Sequence, residues 1–160
     1  MTKCRQTYTI GITEWCALAA EGSAPPVTIF LEGNSMMPLI RRGKDSVTIV
    51  ALQRPLRIGD VVLITTGADR YVVHRVWRIN GTTIRTLGDN CVNPDPWIPQ
   101  ECVLGQAILY SRNNVKHRLD TTAARLWGRA WMAVFPLRKC CIQLKSIVRR
   151  YYRKLFRSHG

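Results

Sequence analysis

The feature that most constrains the fold of this chain is a series of short segments rich in β-branched and aromatic residues, separated by glycines and prolines. Segments of this composition and length are typical of strands. Their regular recurrence indicates a mainly β body with a coiled or barrel-like sheet. One short helix is expected near the start, over 12–21, because Gly22 and Pro25-Pro26 would end it. The predicted strands are 27–31, 47–51, 61–65, 71–79, 82–87 and 103–110.

Positive charge is concentrated in the last third of the chain. The sequence of 160 residues has 24 Lys and Arg against 10 Asp and Glu, a formal net charge of +14. Thirteen of these basic residues, with Asp120 as the single acid, lie from Arg112 onward, which leaves a net charge of +2 on residues 1–111. The shift, next to the turn-forming pair Asn113-Asn114, predicts a body over 1–111 and a basic helical extension over 112–160.

The basic extension has the sequence pattern of two amphipathic helices. Apolar residues recur at helical spacing over 126–135, after Thr121-Thr122 as a cap, and again over 137–155. Basic amphipathic helices of this kind lie in membrane interfaces, so an anionic membrane surface is the predicted partner of 121–157. Two alternatives stay open: phosphate contacts to nucleic acid, ranked second, and packing of the Trp-rich segment 126–135 onto the body.

The sequence also predicts a cytoplasmic protein, peripheral on the inner face of the membrane if the tail binds there. Its longest apolar runs are shorter than the ~18 residues that span a bilayer, and its first residues lack a secretory pattern. The six cysteines show neither metal-ligand spacing nor a disulfide pattern. Free thiols are therefore expected, and neither a metal nor a cofactor is predicted.

A histidine and an aspartate are expected to meet on one face of a hairpin. Asn80-Gly81 between two strand-like segments predicts a two-residue turn at these positions. That register places His74 opposite Leu87 and puts Asp89 on the same sheet face as His74. A carboxylate beside an imidazole fixes its tautomer, and the other ring nitrogen then accepts a proton from a hydroxyl. The pattern predicts a general base and the acid that orients it.

Five short blocks of the body occur in an order that carries a family resemblance. They are GNSMMP at 33–38, GKDSV at 43–47, RIGDVV at 57–62, VHRV at 73–76 and TLGDN at 86–90. Together they resemble the type I signal peptidases and the related self-cleaving repressors, a match that covers 27–109. Most bacterial members have a lysine at the base position, whereas His74 resembles the endoplasmic-reticulum and archaeal branch with its Ser/His/Asp site.

This resemblance implies a serine endopeptidase that cleaves a peptide or leader segment through an acyl enzyme. Ser35 would be the nucleophile and His74 the base. The family's acid falls on Asp95, whereas the hairpin register favours Asp89, and both remain candidates.

The residues around Ser35 are the expected oxyanion or substrate-binding positions. They are Gly33, Asn34 and Met36. Bacterial relatives often place a Ser or Thr hydroxyl where Gly33 stands. Oxyanion stabilisation is therefore expected to rely on the Ser35 backbone N–H and on Asn34.

Two other functions remain open from the sequence. One is a non-catalytic module of the same fold that binds a peptide, a membrane surface or nucleic acid through the basic tail. It predicts an unreactive Ser35 and binding that depends steeply on salt. The other is a thiol nucleophile at Cys91 near His74.

Overall fold

The computed structural model describes residues 12–52, 55–66, 70–137, 139–141, 144 and 148. Its helices are α1 (Ile12–Ala20) and α2 (Thr122–Ala133), and a short 3₁₀ helix covers Gln100–Cys102. Its strands are β1 (Val27–Phe30), β2 (Ser46–Ala51), β3 (Val61–Thr65), β4 (Tyr71–Asn80), β5 (Thr83–Leu87), β6 (Trp97–Pro99), β7 (Val103–Arg112) and β8 (Val115–Arg118).

These strands form one antiparallel sheet, so the prediction of a mainly β body is confirmed. The strand order is β1-β2-β7-β3-β4-β5-β6, and β8 pairs with the second half of β7. Within the described residues the sheet does not close into a barrel. The sheet connects elements distant in sequence, since β7 lies between β2 and β3.

The predicted elements match the observed ones within about two residues at each end. Strands β6 and β8 are the two that the sequence did not predict. β6 has only three residues and ends at Pro99, and all four residues of β8 are exposed. Neither strand therefore shows the alternation of apolar and polar residues that identifies a half-buried strand.

The core lies on both faces of the sheet. Val61 and Leu63 of β3 pack into one cluster with Trp15 of α1, whereas Val62 and Ile64 pack into another on the opposite face. This explains why β3 is a continuous apolar run, because a strand covered on both faces has no solvent side. Trp15 also donates its indole N–H to Pro25 O at 2.7 Å, which fixes α1 against the start of the sheet.

The predicted register of the β4–β5 hairpin is wrong. Asn80 pairs with Thr83, so the loop residues are Gly81 and Thr82, and Gly81 alone of the hairpin loop has a positive φ, at 54°. A two-residue loop with glycine first needs only one left-handed residue. A register shift between Val76 and Arg78 then moves the pairing back by one residue, so the net displacement from the predicted register is one residue.

As a result, Arg75 and not His74 lies opposite Leu87. Asp89, two residues after Leu87, is therefore expected on the same sheet face as Arg75. The register no longer predicts a contact between Asp89 and His74.

The turn predicted at Asn113-Asn114 connects β7 to β8. Both asparagines have positive φ, 51° and 64°, and Arg112 pairs with Val115 across them. Two successive left-handed residues are the mark of a type I′ hairpin loop, which asparagine tolerates better than most residues. The sheet therefore continues through 111–112, where the charge distribution changes, and the two-domain division stays a prediction.

Helix α2 confirms the first of the two helices predicted in the tail. Thr121 Oγ1 accepts a hydrogen bond from Ala124 N at 3.1 Å, so Thr121 is the N-cap. Gly128, Met132 and Phe135 are buried against the body, and the Phe135 ring lies 5.6 Å from that of Trp77. The second predicted helix, 137–155, falls largely outside the described residues.

The apolar residues of the tail divide into a buried and an exposed set. Met132 and Phe135 face the body, whereas Leu126, Trp127 and Val134 are exposed. The helix thus packs through one stripe and keeps a second apolar stripe at its surface. None of the described helices has both the length and the apolarity needed to cross a bilayer.

Candidate active site

His74 and Asp95 form the polar centre of the site. His74 lies in the middle of β4 and is 7% exposed, and its Nδ1 lies 2.6 Å from Asp95 Oδ2. Asp95 belongs to the connection between β5 and β6, where its backbone N–H donates to Thr86 O at 2.9 Å. The Thr86 hydroxyl donates to the same Oδ2 at 2.5 Å, and Arg85 Nε donates to Asp95 O at 2.7 Å. The carboxylate is held from several sides.

This environment keeps Asp95 ionised. Burial of the carboxyl opposes ionisation, but the hydrogen bonds from His74 and Thr86 and the nearby charge of Arg85 outweigh it, so the pKa of Asp95 lies below its ordinary value. An ionised acceptor at Oδ2 places the imidazole proton on Nδ1. The other nitrogen of His74, Nε2, is then available to accept a proton.

Ser35 lies in the run of turns that follows β1. Its backbone carbonyl accepts a hydrogen bond from Asn90 N at 2.7 Å, and the side-chain amide of Asn90 donates to Asn34 O at 3.3 Å. A Cβ placed on Gly88 would stand only 3.0 Å from Ser35 Cβ and 2.8 Å from Ser35 O. The segment after β5 is therefore packed directly against the serine, and only a glycine fits at 88.

One short segment, 86–95, thus contacts both halves of the candidate site. At its end Asp95, held by Thr86 at the start, bonds His74, and between them Gly88 and Asn90 pack against Ser35. Among the described residues, no hydrogen bond joins Ser35 Oγ to His74. Catalytic hydrogen bonds are often long in a free enzyme and tighten when substrate binds.

Asp89 has a different partner from the one that the hairpin pattern favoured. Arg75 Nε and Nη2 donate to the two Asp89 carboxylate oxygens at 2.9 and 2.8 Å, and both side chains are almost fully buried. Arg75 Nη1 also donates to Gly59 O at 2.8 Å. This bidentate pair ties the segment that contacts Ser35 to β4 and to the connection before β3. Asp89 therefore belongs to a buried ion pair that supports this segment.

Arg75 is the residue of the candidate site that the sequence pattern did not identify. Its position next to His74 in β4 places it on the opposite face of the strand. A buried arginine needs a carboxylate partner, so this position indicates that an acid lies nearby. Only the register identifies that partner.

The three positions flanking Ser35 lie in different surroundings. Met36 is fully buried with Ile40 one helical turn later, and Ile40 N donates to Met36 O at 2.9 Å. Gly33 and Asn34 are exposed. Met36 therefore anchors the turn in the core, whereas Gly33 and Asn34 are at the surface, where a substrate can reach them.

A buried carboxylate fixes the other end of this turn region. Asp45 is fully buried and accepts hydrogen bonds from the guanidinium groups of Arg41, at 2.7 Å, and Arg112, at 3.0 Å. Arg112 Nη2 also donates to Pro38 O and Leu39 O, both at 2.8 Å. The network connects the Ser35 region to the end of β7.

Replacing Asp45 with asparagine is expected to lower the free energy of unfolding by about 3 kcal/mol, because it removes the charge that both arginines share. Hydrogen bonds from Arg41 hold the pKa of Asp45 well below its usual range, and they outweigh burial, which would raise it. Hydrogen bonding and charge from Arg112 add to this lowering. The stabilisation is therefore complete at neutral pH and declines as the pH falls below about 4, where the unfolded chain takes up the proton. Urea unfolding of both proteins from pH 7 to pH 3 measures this, and a difference that stays constant with pH would contradict it.

None of the described cysteines is in a disulfide. They are Cys16, Cys91, Cys102, Cys140 and Cys141. Cys91 lies beside the candidate nucleophile, since its Sγ is 2.6 Å from the point where a Gly88 Cβ would stand. In the part of the chain that the structure describes, no cluster of three or more His, Cys, Asp or Glu side chains is arranged to hold a metal ion.

Comparison with known proteins found no match: no family model, no curated protein and no solved structure matches this chain. What the site does is therefore inferred from its own geometry and chemistry.

Proposed function

We propose that this protein is a serine endopeptidase of signal-peptidase-like fold, with Ser35 as nucleophile, His74 as general base and Asp95 as the acid that orients His74. The observation that carries the proposal is the 2.6 Å hydrogen bond between His74 Nδ1 and Asp95 Oδ2. It leaves Nε2 as the proton acceptor, and the segment that supplies Asp95 also contacts Ser35. The order of the five sequence blocks supports the same assignment.

In this mechanism the Ser35 oxygen forms a bond to the carbonyl carbon of a peptide while His74 Nε2 takes the Ser35 proton. The Asp95 carboxylate stabilises the imidazolium that results. The tetrahedral intermediate collapses as Nε2 returns the proton to the leaving amine, and an acyl enzyme remains. Water, deprotonated by the same nitrogen, then releases the product. The Ser35 backbone N–H is the proposed donor to the oxyanion.

The proposed substrate is a peptide or a leader segment presented to the enzyme in the cytoplasm or at the inner face of the membrane. Asn34 and Gly33 are exposed beside the nucleophile, so an extended chain has access from that side.

Acylation by a serine-directed probe tests the proposal. Purified protein is incubated with a penem or a fluorophosphonate and analysed by intact mass. Wild type is expected to gain one adduct, and Ser35→Ala is expected to gain none, because the attacking oxygen is missing. Cys91→Ser is the matched control, since it removes the neighbouring nucleophile and leaves the serine, and it should retain the adduct.

The same experiment separates the alternatives. An adduct that persists in Ser35→Ala and is lost in Cys91→Ser would identify a thiol nucleophile. Failure of the folded wild type to react with either probe, with and without anionic vesicles, would favour the non-catalytic binding module.

A further inference from the structure

Three arginines converge on an open groove whose lining residues include none of the candidate catalytic residues. The groove has a volume of about 390 Å³ and lies between α2 and the connection that precedes β3. Its lining residues are Arg57, Ile58, Thr122, Arg125, Leu126 and Arg129. Cations and apolar side chains therefore share one concave surface, which we call the arginine groove.

Close packing holds the two walls of the groove together. A Cβ on Gly59 would stand 2.9 Å from Arg125 O and 3.3 Å from Arg129 N, so the backbone of the connection touches that of α2. Gly128 allows the same approach from the helix side, because a Cβ there would lie 2.8 Å from Gly59 O. The groove is thus a feature of the folded body as well as of the tail.

The three guanidinium groups have no carboxylate partner within the described residues. Arg125 Nη2 donates to the Thr122 hydroxyl at 3.3 Å. Of the acids near these arginines in sequence, Asp120 pairs with Arg118 at 2.6 Å, and Asp60 accepts a hydrogen bond from the backbone N–H of Arg57 at 2.9 Å. Arginines that line one groove without a contact ion pair favour an anion, and the planar guanidinium matches the paired oxygens of a phosphate.

The apolar side chains around the groove indicate which class of anion it would bind. Leu126 and Trp127 are 58% and 62% exposed, and Ile58 lies on the opposite wall. A hydrated free phosphate gains nothing from exposed leucine and tryptophan side chains. A phospholipid does, because its phosphate lies directly above hydrocarbon and tryptophan prefers that boundary.

We propose that the arginine groove binds the phosphate headgroup of an anionic phospholipid, with Leu126 and Trp127 inserted beside it into the acyl boundary. This site extends the predicted membrane contact of the tail to Arg57 and Ile58 of the body. It does not depend on Ser35 chemistry, and its test has no catalytic readout, so either proposal can fail alone.

Flotation of the full chain with vesicles tests the groove. Wild type is expected to bind vesicles of phosphatidylcholine with phosphatidylglycerol and not those of phosphatidylcholine alone. The variant Arg57→Gln/Arg125→Gln/Arg129→Gln should bind the anionic vesicles between about 10-fold and 100-fold more weakly, given the contribution of each cation at a membrane surface.

A control variant with the same loss of charge is Arg42→Gln/Lys44→Gln/Arg70→Gln, which changes exposed residues elsewhere. It should weaken binding by less than about threefold, because charges away from the contact act only through the screened net field. Equal weakening in both variants would overturn the proposal, as would wild-type affinity in the groove variant.

Two competitors distinguish the source of the anion. Wild type that binds inorganic phosphate but no anionic vesicle would overturn the lipid assignment. The lipid assignment would also be overturned if binding of a single-stranded oligonucleotide required the three arginines and vesicle binding did not.

Brominated acyl chains provide a second readout that needs no charge change. They are expected to quench part of the tryptophan fluorescence of wild type, and Trp127→Phe should lose that part. Thermal melts establish that each variant is folded. Quenching that is the same with and without Trp127 would contradict its insertion.

Discussion

Replacing Asp95 with asparagine is expected to slow the acylation of Ser35 about 10³-fold while the protein stays folded. Thr86 donates to the carboxylate oxygen that also faces His74, so it will hold the amide oxygen of the variant at the same place. The imidazole keeps its tautomer but loses the negative charge that stabilises the imidazolium. The loss should therefore appear mainly in the rate of the chemical step.

The rate of adduct formation with the fluorophosphonate, followed by intact mass, measures this effect. Asp89→Asn is the matched control, because it makes the same carboxylate-to-amide change in the same segment. Asp89 is bound to Arg75, so its replacement should lower the melting temperature and slow acylation by no more than about tenfold in the fraction that remains folded. The opposite ranking, with Asp89→Asn the slower variant, would mean that Asp95 does not orient the base.

Replacing Gly88 with alanine is expected to slow acylation of Ser35 about 10²-fold or more. The new Cβ would stand 2.8 Å from Ser35 O, 3.0 Å from Ser35 Cβ and 2.6 Å from Cys91 Sγ. Backbone contacts this short force the serine or the segment after β5 to move. A displacement near 1 Å at a reacting group is enough to lose about two orders of magnitude in rate.

Gly33→Ala separates this steric effect from a general sensitivity of the turn. A Cβ on Gly33 would meet nothing closer than 3.9 Å, the distance to Ser35 Oγ, which is ordinary van der Waals contact. That variant should react within about tenfold of wild type. Probe labelling measures the acylation rate of both variants, and thermal melts establish that they are folded. A Gly88→Ala protein that is acylated at the wild-type rate would show that the segment does not position Ser35.

Local pattern was sufficient to predict most of the secondary structure. The strand at 61–65 and the helix capped by Thr121 follow from apolar periodicity and capping chemistry, which act over a few neighbouring residues. The two strands that were missed lack that periodicity, because β8 is exposed throughout and β6 is only three residues long. Residue types also singled out Ser35 and His74 as candidates before any fold was known.

The partners within the site could not be predicted from the hairpin. The loop at Gly81-Thr82 displaced the predicted pairing by two residues, and a bulge between Val76 and Arg78 returned it by one, so Leu87 lies opposite Arg75 and not His74. Asp89 accordingly pairs with the buried Arg75. A bulge changes the register of every later pair, yet it leaves no mark in composition or spacing. Asp95 lies in the connection between β5 and β6, and strand periodicity does not predict where a side chain in a connection points.

The sequence by itself determined six of the eight strands, the capped helix, the concentration of charge and the residue types available for chemistry, because each depends on short-range preferences. Tertiary structure decided which carboxylate meets His74 and which stripe of α2 is buried. It also brought Arg57, which precedes β3, to the arginines of α2, which follows the last strand of the sheet. Those choices depend on register and on close backbone contacts at Gly59, Gly88 and Gly128, which join residues that are far apart along the chain.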